Sequence, residues 1–273
     1  MKNLKSLIVL FAILLINNMQ AQNVKVRSSV KTSKKPELIK QSRNAESSPS
    51  SVGNKVGCKQ VSTRIVSGIL KNSVARDLKI TLDKESSQVT IMNKTQKFTI
   101  PERKITKAGH DWVYYVNDII SIKSWSTFDS KTKKFYLFVE FEGNDSEIKG
   151  KCPGCLKRFK DRRAPDINWE GNRTARITLN PIPYNNSISF EIEKVILDGK
   201  FDFNGPADFF VAPLVKYFEA KIKEGIEKEA KKILNNPSNK KAIADALRGT
   251  VKFLGLNSVR TVEVTGENLY ICD

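Results

Sequence analysis

Two cysteines three positions apart, Cys152 and Cys155 in KCPGCLK, are the residues of this chain best suited to chemistry. A Cys-x-x-Cys pair can cycle between dithiol and disulfide when its first thiolate is stabilised, and the lysines and arginines that follow would lower that thiol's pKa. Cys152 is preceded by EIKGK rather than by the buried strand of a βαβ unit. The spacing therefore reads first as a staple that stiffens a loop around the Pro153-Gly154 turn, with thiol–disulfide activity as the lesser reading. Zinc held by this pair would need two further ligands. The single histidine, His110, stands beside Asp111 in a glycine-containing turn, a solvated pair rather than a catalytic one. Nucleophile elbows, phosphate loops and usefully spaced carboxylate pairs are missing from the sequence. The expectation is a protein without enzymatic activity, cofactor or metal.

The other two cysteines, Cys58 and Cys272, stand at the two ends of the patterned region. Four cysteines allow three pairings. Joining Cys152 to Cys155 and Cys58 to Cys272 leaves no odd thiol and ties the ends of the domain together, and it is the pairing expected here.

Disulfides fit the compartment that the first residues imply. MKNLKSLIVLFAILLINNMQAQ has lysines at positions 2 and 5, an apolar run from Leu7 to Ile16 and a small residue at Ala21. That order is a secretory signal peptide over 1–21, since about ten apolar residues are too few to span a bilayer. The mature chain is expected to be periplasmic, surface-associated or secreted, with no transmembrane segment after cleavage. Residues 22–57 are rich in Ser, Lys and Asn and poor in large apolar side chains, a disordered tether. The tether holds eight basic residues against two acidic, and the leader two lysines. Of the formal net charge of +18, about +10 therefore remains on the domain over 58–273.

Within that domain a basic excursion runs from 144 to 169. Between Lys149 and Arg163 it carries Lys149, Lys151, Lys157, Arg158, Lys160, Arg162 and Arg163 against a single Asp161. Such a run can neutralise phosphates, but the export signal, the scatter of lysine over every segment and the lack of a recognition module speak against nucleic acid. Anionic lipid, an acidic polysaccharide or an envelope protein are the partners such a surface suits.

The elements that must hold these residues are mostly strands. QVSTRIVSGILKNSVARDL (60–78) fits a helix or a strand and turn almost equally. Alternation then predicts strands near 79–83, 88–92 and 96–100, an extended aromatic and β-branched segment at 111–128, and its hairpin partner at 131–143. Strands resume at 174–180 and 187–203, and the apolar phase changes along the second, so a bulge or bend is expected near Glu193–Lys194. A long amphipathic helix follows, with its stripe at Val211, Val215, Phe218, Ile222, Ile226, Ala230 and Ile233. Pro213 places the start of the helix proper near Ala212. Asn235, Asn236 and Pro237 stop it, Ser238 caps a second helix, and two short strands about a Gly-Glu-Asn turn end the chain. The fold class expected is α+β: a long curved antiparallel sheet packed on or wrapped around the long helix. A sheet surface made largely from 111–203 is expected to cover the apolar stripe of that helix.

The stretch ISFEIEKVILDGKFDFNGPADFFVAPLVKYFEAKIKEGIEKEAKKIL resembles the tubular lipid-binding superfamily, that of the bactericidal/permeability-increasing and related lipid-transfer domains. The likeness rests on element order and length over about 60–273. The CPGC excursion and the second helix stand outside the family pattern. The resemblance implies a curved sheet rolled around a long helix, with a tubular cavity for acyl chains. It would make Phe190, Ile192, Leu197, Phe201, Val215, Phe218 and Ile222 the ligand-lining candidates, with the basic loop facing headgroups. The same residues equally suit an ordinary filled core. In that case the protein is a solid envelope domain that binds a protein or acidic glycan partner.

Overall fold

The computed structural model describes residues 57–107, 109–143, 147–155, 166–203 and 208–273. The expected leader and nearly all of the expected tether lie outside the described residues. The chain begins with strand β1 (Cys58–Ser62) and helix α1 (Thr63–Ser73), then a short 3-10 turn. Strands β2 (Lys79–Leu82), β3 (Ser87–Ile91), β4 (Lys94–Phe98), β5 (Arg103–Lys107) and β6 (His110–Val116) follow. They lead into β7 (Ile119–Asp129), β8 (Lys134–Phe141), β9 (Ile148–Lys151), β10 (Ile167–Tyr184) and β11 (Ser187–Phe203). Helices α2 (Asp208–Asn235) and α3 (Pro237–Phe253) and strands β12 (Thr261–Thr265) and β13 (Asn268–Cys272) complete it.

The architecture of the described residues is α+β, with a strongly curled antiparallel sheet and three α-helices among them. The large sheet has the order β4-β3-β2-β7-β8-β10-β9-β6-β5, with β11 on the other side of β10. A small second sheet, β1-β13-β12, gathers the two ends of the domain. Both expected disulfides are present, and Cys58 and Cys272 face each other directly in the β1–β13 ladder.

Alternation sets the two faces of the large sheet. On β8, Phe135, Leu137, Val139 and Phe141 are buried on the concave side, as the hairpin pattern implies. The opposite side carries Phe138 stacked on Trp125 of β7, ring centroids 5.1 Å apart, with Lys123 over Trp125 and Arg176 over Tyr136. Strands β10 and β11 form a long ribbon that ends at Asn185–Asn186, both at positive φ. The bulge expected near Glu193 is there: the register shifts between Thr178/Lys194 and Leu179/Ile192, and burial passes from Ile192 to Val195. A second irregularity between Glu170 and Thr174 coincides with Gly171 and Gly199 at positive φ. A Cβ on Gly199 would lie 2.6 Å from the Glu170 carbonyl oxygen, so only glycine lets the ribbon turn here.

The long helix buries Leu214, Phe218, Ile222, Ile226, Ala230 and Ile233. Of the residues expected to form the stripe, Val215 is half-buried while Leu214 next to it is buried, the Val211 side chain lies outside the described residues, and Glu229 is buried beside Ala230. Residues at both margins of the curled sheet meet this helix. On the β4 side the Phe98 ring lies against Gly225, where a Cβ would collide with it, and Tyr217 donates to the Pro101 carbonyl at 3.2 Å. On the β11 side the Val195 amide donates to Glu227 at 3.2 Å. The helix therefore closes the open side of the curl, and β3 and β4 supply part of the cover that was expected largely from 111–203. Helix α3 packs beside it on β11, where Ser187 donates to the Ala244 carbonyl at 2.7 Å.

Several expectations need correction. The 60–78 segment is neither wholly helix nor strand, because Ser62 ends β1 and its hydroxyl accepts from the Arg64 amide to start α1. The 111–128 segment is two strands, broken at Asn117–Asp118, where Asp118 has φ 44. Strand pairing resumes at Ile167, not 174, because Ile167 and Trp169 are fully buried within the excursion. Pro213 lies inside α2, which already begins at Asp208. The second helix is capped by Asn236, whose side chain accepts from Ser238, leaving Pro237 in the first turn where its missing N–H costs nothing.

Candidate functional site

The sequence singled out three sets of residues, and they end in three different places. Of the ligand-lining candidates, Phe190, Phe218 and Ile222 have no exposure, and Ile192 and Phe201 have under 10%. Leu197 and Val215 are partly buried against the same core. Phe190 meets Phe135 edge-on at 5.3 Å, and Phe201 stacks on Trp169 at 4.9 Å. Trp169 in turn donates its indole N–H to the Asp198 carbonyl at 2.9 Å. These contacts are those of close-packed interior side chains.

Of the basic set, Lys157, Arg158, Lys160, Arg162 and Arg163 lie outside the described residues. Lys149 and Lys151 belong to β9. Lys151 is engaged within the fold: its ammonium is 3.5 Å from Glu102 and 5.0 Å from the Tyr115 ring centre, a site it shares with Lys84.

The cysteine pair is assembled with a residue 42 positions away. Strand β6 pairs antiparallel with β9, matching Val113 to Lys151 and Val116 to Ile148. Beyond Val113 and Lys151 the two strands run on to His110 and to the CPGC turn, where the Cys155 amide donates to the Cys152 carbonyl at 3.3 Å. A ring nitrogen of His110 and the two sulfur atoms all lie within 4.8 Å of one another. His110 is exposed and both cysteines are buried. Asp111, its neighbour in sequence, points to the opposite face as strand alternation requires. There it accepts from Lys104 at 2.5 Å and from the Thr106 hydroxyl at 2.6 Å. Lys104 first, and Thr106 second, hold its carboxyl below the usual carboxylate range. His110 and Asp111 are thus not a dyad. Among the described residues, His110, Cys152 and Cys155 bring three side chains of metal-ligating type together, with the two sulfurs joined to each other as a disulfide. Sequence spacing could not reveal it, because β9 is four residues long with only Ile148 fully buried, too little pattern to announce its pairing with β6.

A surface groove of about 370 Å³ lies where β4 meets α2, lined by Lys97, Phe98, Pro101, Lys221, Lys228 and Lys232 among others. Lys221 and Glu224 are 2.7 Å apart, and each holds the other in its charged form. Lys232 similarly reaches the buried Glu229. That leaves Lys97 and Lys228, both exposed, as the groove's lysines without an ion pair among the described residues.

No family model matches the chain, and no significant match was found among curated proteins or solved structures. No helix among the described residues is long and apolar enough to cross a membrane.

Proposed function

We propose that this chain is an exported, non-enzymatic binding protein with a filled interior, and that it engages an acidic polysaccharide through its lysine-rich exterior. The observation that carries this reading is the destination of the lining candidates. Phe190, Phe201, Phe218 and Ile222 pack into one core with Phe135 and Trp169. That packing supports a filled interior over a cavity for acyl chains, with recognition at the surface. The groove between β4 and α2 supplies apolar Phe98 and Pro101 beside Lys97 and Lys228. That combination suits a sugar ring bearing a carboxylate or sulfate, the ring on the apolar floor and the anion between two ammonium groups.

The test is retention on a sulfated or uronic-acid polysaccharide against neutral dextran, at low and high salt. Binding should be confined to the acidic polymer and weaken with salt. The pair K97E/K228E should reduce it at least about tenfold, the equivalent of about 1.4 kcal/mol. Equal retention on dextran, or an unaffected double variant, would remove the proposal.

One feature favours a second reading, lipid carriage. A curled sheet whose two margins both meet a long amphipathic helix matches the arrangement implied by the tubular lipid-binding resemblance, with basic side chains facing anionic headgroups. Native mass spectrometry after gentle purification separates the two: a co-purifying lipid supports the carrier and counts against the filled core.

A further inference from the structure

We propose that Cys152, Cys155 and His110 form a redox-gated zinc site: closed as a disulfide when oxidised, and open to one Zn2+ when reduced. The three residues come from two strands whose pairing is set by the β6–β9 ladder and, for His110, also by its pairing with Lys107 of β5. The imidazole is therefore held beside the turn before any ion arrives. Their ligand atoms lie within 4.8 Å of one another, while a tetrahedral zinc with bonds of about 2.0–2.3 Å needs its ligands a little under 4 Å apart. Opening the sulfur–sulfur bond moves the two sulfurs apart, in the direction that geometry requires. The Cys-x-x-Cys spacing is that of a zinc half-site, and two thiolates with one imidazole select a borderline-soft ion over calcium or magnesium. The exposure of His110 leaves a route for the ion and a fourth position for water or an anion.

The chemistry balances in two steps. An external dithiol donates two electrons and two protons to the Cys152–Cys155 bond, giving two thiols and becoming a disulfide itself. Zinc then displaces the two thiol protons and binds two thiolates and the neutral imidazole, a group without net charge. Reoxidation by a disulfide reverses both steps and releases the ion. This assignment does not rest on the polysaccharide reading, and either can fail alone.

The experiment uses the full mature chain, reduced anaerobically with a phosphine only as far as two thiols per chain, with the count and the intact Cys58–Cys272 bond checked by mass. Zinc is measured by elemental analysis after gel filtration, and Co2+ substitution is followed through its thiolate charge-transfer absorption. The reduced chain should retain one zinc and the oxidised chain none. The C152S/C155S variant, which keeps Cys58 and Cys272, should retain none when reduced. The H110A variant, altered at an exposed position, should bind at least about tenfold more weakly. Zinc retained by C152S/C155S, unchanged affinity in H110A, no uptake by the reduced chain, or a Cys152–Cys155 bond that stays closed in reductant would each overturn the assignment.

Discussion

The two disulfides of this chain have the same bond and opposite surroundings. Cys58 and Cys272 are 214 positions apart, sit opposite each other in the β1–β13 ladder and bring the first and last strands of the domain together. Cys152 and Cys155 are 3 apart, restrain only their own turn, and stand beside the one histidine of the chain. A crosslink stabilises chiefly by the freedom it removes from the unfolded chain, so the first is a device of stability. The second removes too little freedom to be explained that way. What distinguishes it is its neighbour, and that is why a chemical role belongs to it.

The comparison can be broken most directly by removing each bridge. With C58S/C272S, chain-entropy reasoning gives a loss of about 5 kcal/mol for so long a loop. That is enough to unfold a marginal domain, and a urea titration monitored by tryptophan fluorescence would register it. For C152S/C155S the same relation gives about 2 kcal/mol at most, so this variant should fold with a small shift in midpoint. If the short bridge proved as costly as the long one, the division of roles drawn here would be wrong.

A smaller effect sharpens the comparison from the strand that carries His110. Tyr114 on β6 is 2% exposed. Burial, and secondarily the charge of Asp166, push its hydroxyl up to about 12. In the unfolded chain it titrates near 10. Between those values the folded state keeps a proton that the unfolded state has lost, so stability is complete below about pH 10 and declines as pH rises toward about 12. In Y114F that share of the alkaline decline should vanish, while stability at neutral pH changes little. Urea midpoints for both proteins from pH 8 to 12 measure it, and parallel curves would show that the strand loosens before Tyr114 titrates.

What could be read from residues alone follows the range of the interactions. The β7–β8 hairpin was legible because Phe135, Leu137, Val139 and Phe141 alternate beside a polar turn. The irregularity at Glu193 was legible because a change of apolar phase along one strand needs a bulge or a bend to supply it, and the register shift shows a bulge. The long disulfide followed from placing cysteines at both ends of the pattern. The closing of the curl by β3 and β4 was not legible, because nothing in KTQKF marks Phe98 as the partner of Gly225 more than 120 residues later. Nor was the grouping of His110 with the cysteines, which depends on a register between β6 and a strand too short to have a pattern. The groove lysines Lys97 and Lys228 were missed for the same reason: they are ordinary surface lysines until two distant elements meet.

The way α2 spans the curl has a consequence for the order of events during synthesis. Strands β4 and β11 are complete once Phe203 has emerged, yet the helix that meets both margins begins only at Asp208. For that interval the apolar inner face of the curl lies uncovered by the helix, and transiently exposed apolar surface is what drives association between molecules. The last covalent closure waits still longer, since Cys58 can find its partner only when position 272 has been delivered. A chain of this design is at its most vulnerable between the emergence of Phe203 and that of Cys272, and a holding chaperone would matter most in that interval.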